Sequence, residues 1–269
     1  MPRPSAEMVV APASSDATAA SAGSEPAGAF YAECLKLLKE SGLPFLVGGT
    51  FAVSAHTGLS RPVKDIDVFC KAGDYPRILA YFRERGYDTE IEDARWIAKI
   101  MKGEHFVDVI FNSSTATVPV TDLWFADVHH ARIYGMEVPV VAPTELIWSK
   151  AFLQDRCRYD GADIAHLILR RSDRIDWRRL LSHMEQYWEV LLIHLLNFRF
   201  IYPTERERIP RWLIDELLAR QHDLSELPVP RIKVCRGRLF SRDDYAIDVK
   251  EWGFADLVGD GSRTDGDCA

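Results

Sequence analysis

Between residues 29 and 142 the apolar positions alternate between two periods. "GAFYAECLKLLKESG" sets Phe30, Cys34, Leu37 and Leu38 at helical spacing and stops at Gly42, a residue suited to a helix C-terminus. "LPFLVGG" predicts a short strand ended by two glycines, and Thr50–His56 a helix with Thr50 as its N-cap. "DIDVFC" predicts the next strand. "DYPRILAYFRERG" predicts a helix with Asp74 near its start and Gly86 at its end. "DTEIED", "RWIAKIMK" and "HFVDVIFN" then read as strands, the last two paired through a Lys102–Gly103 turn, and "ARIYGMEVPVVA" as a hairpin turning near Gly135.

From Pro143 the pattern is helical throughout. "PTELIWSKAFLQDR", "DGADIAHLILRR", "DWRRLLSHM", "YWEVLLIHLLNFRFIY" and "IPRWLIDELLARQ" each carry a 3.6-residue period, with Pro143 and Pro210 where first-turn prolines are favoured. Mixed elements followed by helices predict an α+β chain, a sheet with flanking helices followed by a helical domain. The expected divisions are a disordered Ala/Ser/Pro/Gly-rich tail at 1–28, a core at 29–142, helices at 143–222, a small C-terminal element at 223–254 and a flexible tail at 255–269.

Composition narrows the classes. A hydrophobic content of 47% allows a sizeable core, and a net charge of −7 disfavours a general nucleic-acid coating role, so no DNA partner is expected. No stretch approaches eighteen uncharged apolar residues, and no signal peptide is evident, so no membrane partner is expected either. Five scattered cysteines without a Cys-x-x-Cys pair suggest reduced thiols in a cytoplasm, with Cys157 a buried small hydrophobe.

The candidate chemistry lies in "KDIDVF". Strand alternation points Asp65 and Asp67 the same way, about 7 Å apart, with Ile66 toward the core. Alone this favours wet carboxylates on an edge strand; a divalent ion or basic groups would otherwise be needed to offset their repulsion. Asp108 in "HFVDVIF" supplies a third carboxylate, and three on adjacent strands match the ligand set of a two-ion site with ions about 4 Å apart. Gly48 and Gly49 end a strand before a helix, where backbone amides could face an anion and Thr50 could bond a phosphate oxygen. Neither a Rossmann nor a P-loop fingerprint is present.

Taken together, Gly48-Gly49-Thr50, a helix, Arg61, "KDID" and a later acidic strand resemble the nucleotidyltransferase superfamily with the DNA polymerase β-like fold. The similarity is closest to small bacterial nucleotidyltransferases, including those acting as toxins in toxin–antitoxin systems. It extends through "ELIWSKAFLQDRCRYDGADIAHLI", whose Lys150, Asp160 and Asp163 resemble the family's later Lys and Asp motifs. What the resemblance implies is an enzyme moving an NMP from an NTP to an acceptor hydroxyl with release of pyrophosphate. Asp65, Asp67 and Asp108 would hold two Mg²⁺ ions, with Asp108 also helping to deprotonate the acceptor. Gly48, Gly49 and Thr50 would cradle the triphosphate, Lys150 would neutralise its charge, and Arg61 and Lys64 would add phosphate contacts. Asp160 and Asp163 would orient Lys150, act near the acceptor, or simply begin a helix. The fifteen residues between Gly49 and Asp65 fit the longer-helix branches of the superfamily. The acceptor stays open among a small molecule, a protein side chain and a tRNA end, and the alternative is a nucleotide- or partner-binding module that kept the fold and lost turnover.

Overall fold

A computed structural model of the protein describes residues 25–258 apart from Lys64. Lys64, most of the N-terminal tail and the end of the C-terminal tail therefore lie outside the described residues. In chain order come α1 (Glu25–Ser41), β1 (Leu46–Val47), α2 (Gly49–Thr57), β2 (Ile66–Phe69), α3 (Tyr75–Arg83), β3 (Asp88–Asp93), β4 (Ile97–Lys102), β5 (His105–Ile110), β6 (His129–Ile133) and β7 (Met136–Val140). The helical half follows as α4 (Pro143–Lys150), α5 (Gly161–Arg171), α6 (Trp177–His183), α7 (Trp188–Ile201) and α8 (Arg211–Glu226).

The strands make one mixed sheet in the order β3-β4-β5-β2-β1-β7-β6. The β2–β5 and β1–β7 pairs are parallel and the others antiparallel. β2 is thus the central strand, and the edge-strand reading of "KDIDVF" fails. Its reason is visible in the burial: Ile66 and Val68 are fully buried on one face, paired in register with Val107 and Val109 of β5, which are buried with them. Asp65, Asp67, Phe69, Asp108 and Ile110 occupy the opposite face.

The helices cover this frame. α1 packs on α3, β5 and β7, while α2 packs on α4 and α5, which brings the first helices of the second half onto the sheet. The apolar core is continuous from Tyr31, Leu35 and Leu38 of α1 through the sheet to Leu146, Leu167, Leu195 and Phe198. Past α8, Val234–Cys235 and Ala255–Asp256 pair as short parallel strands. Among the described residues no helix is long and apolar enough to cross a membrane.

Two local expectations are corrected. Thr50 does not cap α2: the helix opens at Gly49 with Gly48 as its N-cap, so Thr50 falls inside the first turn. Nor is Cys157 a buried thiol. It is exposed and disulfide-bonded, because the turn between α4 and α5 offers it no core face, whereas Cys34, Cys70 and Cys235 are free and buried as reduced thiols would be.

Candidate active site

Asp67 and Asp108 are register partners on the two parallel central strands, and Asp65 immediately precedes β2. All three line one cavity of about 500 Å³. Burial places Asp67 and Asp108 under stress. Burial first, then the Asp65 charge, pushes Asp67 up to about 6. Burial and then the Asp67 charge push Asp108 up to about 7, with Lys99, whose Nζ stands 4.0 Å from Asp108 Oδ1, pulling the other way. Asp108 Oδ1 itself is buried without a hydrogen-bond partner.

The glycine pair is dictated by this packing. Gly48 N–H donates to the Asp67 carbonyl at 2.9 Å, drawing the start of α2 against β2. A Cβ on Gly48 would enter the Phe69 ring, and one on Gly49 would overlap Asp67 Oδ2. Gly49 also holds φ at +52°, a region that side chains disfavour. Only glycine lets the backbone lie directly on the Asp67 carboxylate. Thr50, half-buried, lines the cavity beside it.

Facing the carboxylates is a chain of ion pairs. Lys150, buried at the end of α4, donates to Asp160 Oδ2 at 2.6 Å and pairs with Asp163 Oδ2 at 2.9 Å. Asp163 also accepts from the Arg61 guanidinium, and Asp160 from Arg158 at 3.3 Å. Burial would raise the Asp160 carboxyl, but the Lys150 charge and then Arg158 outweigh it and hold the group below its ordinary range. Asp160 is at once the N-cap residue of α5 and a partner of Lys150, without a side-chain capping bond. The cavity lining carries six carboxylates (Asp65, Asp67, Asp108, Asp155, Asp160, Asp163) and five cations (Arg61, Lys150, Arg158, Arg238, Arg242).

Whether that donor set suits a metal can be judged on its chemistry. Hard carboxylate oxygens, an excess of negative charge and a buried oxygen lacking a partner fit Mg²⁺, which takes oxygen ligands. Among the described residues no group of three or more His, Cys, Asp or Glu side chains is gathered closely enough to hold a metal ion by itself. Mg²⁺ does not require one, since it binds through one or two carboxylates together with water and substrate phosphates.

Of the residues singled out in the sequence, the structure brings Gly49, Thr50, Arg61, Asp65, Asp67, Asp108 and Lys150 to one cavity, with Gly48 behind them. Asp160 and Asp163 join as partners of Lys150. Sequence reasoning missed Arg158, for which the spacing to Asp160 and Asp163 in "RYDGAD" was the available signal. It also missed Arg238, Leu239, Phe240 and Arg242, which line the cavity from the far end of the chain with no motif to announce them.

A family model described as nucleotidyl transferase of unknown function (DUF2204) matches residues 29–195. No curated protein matches the chain. Among solved structures, the lincosamide antibiotic adenylyltransferase LnuA with lincomycin bound is similar at 17% identity, covering 54% of this chain and 96% of that one, with a TM-score of 0.38. The antibiotic-resistance factor ANT(2'')-Ia is similar at 15% identity over 73% of this chain and 97% of its own, TM-score 0.38. An antigenic nucleotidyltransferase-like protein from Paracoccidioides brasiliensis is similar at 15% identity over 69% and 92%, TM-score 0.45.

Proposed function

The chain belongs to the family of nucleotidyl transferases whose model covers residues 29–195, and on that membership we propose that it is a Mg²⁺-dependent enzyme moving an NMP from an NTP to the hydroxyl of an acceptor. The observation that carries this reading is the in-register pair Asp67 and Asp108, with Asp65 beside them and the Gly49 backbone laid on the Asp67 carboxylate. Asp65, Asp67 and Asp108 are the residues that would hold the metal. When bound, two Mg²⁺ ions would neutralise the triphosphate and the reacting oxygens.

The protein's own groups divide the remaining work. The backbone at Gly48–Thr50 approaches closely enough to receive phosphate oxygens, because no side chain intervenes. Lys150 and Arg158 place positive charge where the pyrophosphate leaves, with Asp160 and Asp163 holding Lys150 in position. The acceptor oxygen bonds to the α-phosphorus as the bridge to the β-phosphate breaks, and pyrophosphate departs with that oxygen. The hydroxyl proton passes to a carboxylate, a role for which Asp108, in register with Asp67, is placed. Phosphoryl chemistry asks the protein mainly for positioning and charge, so the transfer is direct and uses no covalent intermediate on the protein.

Incubation of the wild type with Mg²⁺, each α-labelled NTP and cell extract should label an acceptor, and Asp65→Ala/Asp67→Ala should leave it unlabelled. Equal labelling by the two proteins would remove the metal carboxylates from the chemistry.

A further inference from the structure

A row of charged side chains crosses four neighbouring strands of the sheet. Asp67 of β2 is in register with Asp108 of β5, Asp108 with Lys99 of β4, and Lys99 with Glu90 of β3. Register partners share a face, so Lys99 lies on the face that carries the carboxylates Asp67 and Asp108.

Lys99 does not close on Asp108. Its Nζ stands 4.0 Å from Asp108 Oδ1, too far for a hydrogen bond, and that oxygen is buried without one. The ammonium goes instead to Glu92 Oε2 at 2.6 Å, and lies 4.6 Å from the centroid of the Phe106 ring. The β3–β4 ladder shifts register between Glu90 and Asp93, and such a shift re-aims the side chains around it. Glu90 is exposed, whereas the Glu92 and Lys99 side chains are only 14% and 22% exposed.

This spacing has a consequence for a cation at Asp108. A lysine ammonium rides on a flexible four-carbon stem, and a shift of roughly 1 Å would bring Lys99 Nζ within hydrogen-bond range of Asp108 Oδ1. There it would occupy the oxygen and cancel the charge that a divalent ion needs. The shorter contact to Glu92 holds it off. Stability alone is a weak reason for such a pair, because desolvating two charges offsets much of their attraction.

We propose that Glu92 is a positioning residue that, by binding Lys99, keeps Asp108 open to a divalent cation. The inference rests on the reading of Asp108 as a metal carboxylate. Lys99 is the competing charge and Glu92 its restraint. Neither lines the cavity, so both act through Asp108.

The test measures the Kd for Mg²⁺ on the full chain with a saturating non-hydrolysable NTP analogue, with folding followed by circular dichroism. Lys99→Met, which removes the competitor, should tighten Mg²⁺ binding roughly threefold or more, and Glu92→Gln, which frees it, should weaken binding by a similar factor. In Glu92→Gln/Lys99→Met, the Kd should fall within about twofold of Lys99→Met alone, since Glu92 has nothing left to restrain. The double variant leaves no charge on the pair. If Lys99→Met alone does not fold, the double variant is compared with Glu92→Gln and should bind Mg²⁺ roughly fivefold tighter or more. Unchanged Mg²⁺ affinity in folded variants, with only Tm shifted, would make the pair structural and overturn the assignment. So would a loss from Glu92→Gln that persists in the Lys99→Met background, because Glu92 would then act through its own charge. If the wild type binds no Mg²⁺ with the analogue, the metal-site reading itself falls and this inference with it.

Discussion

Replacing Asp108 with Asn should make the metal-free protein more stable while removing its activity. Asp108 is largely buried, its Oδ1 has no hydrogen-bond partner, and Lys99, 4.0 Å away, offsets its charge only in part. Its carboxyl therefore moves from an ordinary 3.8 up to about 7 in the fold. A raised carboxyl binds its proton more tightly folded than unfolded, so it destabilises the fold wherever it is ionised, above about pH 7, and that penalty fades as pH falls from 7 toward 3.8. At ~1.4 kcal/mol per tenfold change in proton affinity, the ionised group costs about 4 kcal/mol at pH 8. Asn keeps the shape and removes the charge. Recovering half of that cost would raise Tm by about 4–8 °C for a chain of this size. The assay is thermal unfolding with EDTA at pH 8 and at pH 4, followed by addition of Mg²⁺ with an NTP analogue. Asp108→Asn should melt higher at pH 8, match wild type near pH 4, and gain less than wild type from Mg²⁺ and nucleotide. A variant that melts lower than wild type at pH 8 would refute the buried-charge reasoning.

Gly49→Ala should fold poorly or lose transfer by at least a hundredfold, since its Cβ would overlap Asp67 Oδ2 at a φ of +52°; circular dichroism together with label transfer checks it. Lys150→Met should cost about 3–5 kcal/mol in urea unfolding, because it leaves Asp160 and Asp163 buried without their shared cation, and should weaken NTP binding as well. His56, whose ring nitrogen bonds the Val141 carbonyl at 2.8 Å, is pushed by burial down to about 4. A depressed base contributes stability that is present above 6.5 and lost as pH falls through 4, so His56→Gln should flatten the loss of urea stability between pH 7 and pH 4.

The parts legible in the sequence are those encoded locally. Alternation in "DIDVF" and "HFVDVIF" read correctly as strands because each presents a β-branched face to the core, and the glycine pair marked a close approach of backbone to strand. The edge-strand alternative could not be dismissed from "KDIDVF" alone, since strand order depends on pairings such as Asp67 with Asp108 that lie far apart in sequence. Thr50 read as a cap because threonine is a good one; what displaced it was the left-handed Gly49, which starts the helix one residue earlier. Arg158 lay within a stretch already singled out, but a loop arginine two residues before an acid reads equally well as a surface pair. Phe240 and Arg242 carry no local signal. They reach the cavity through the Arg242–Ser114 and Arg156–Asp244 contacts, which no periodicity encodes.

The most direct measurement is the product left by the NTP. With Mg²⁺ and an extract supplying acceptor, the wild type should release one pyrophosphate for each α-label incorporated, and Asp67→Asn should release at least a thousandfold less, with Mg²⁺ omission doing the same. Release of orthophosphate in place of pyrophosphate, or equal pyrophosphate from Asp67→Asn, would contradict attack at the α-phosphorus by this site.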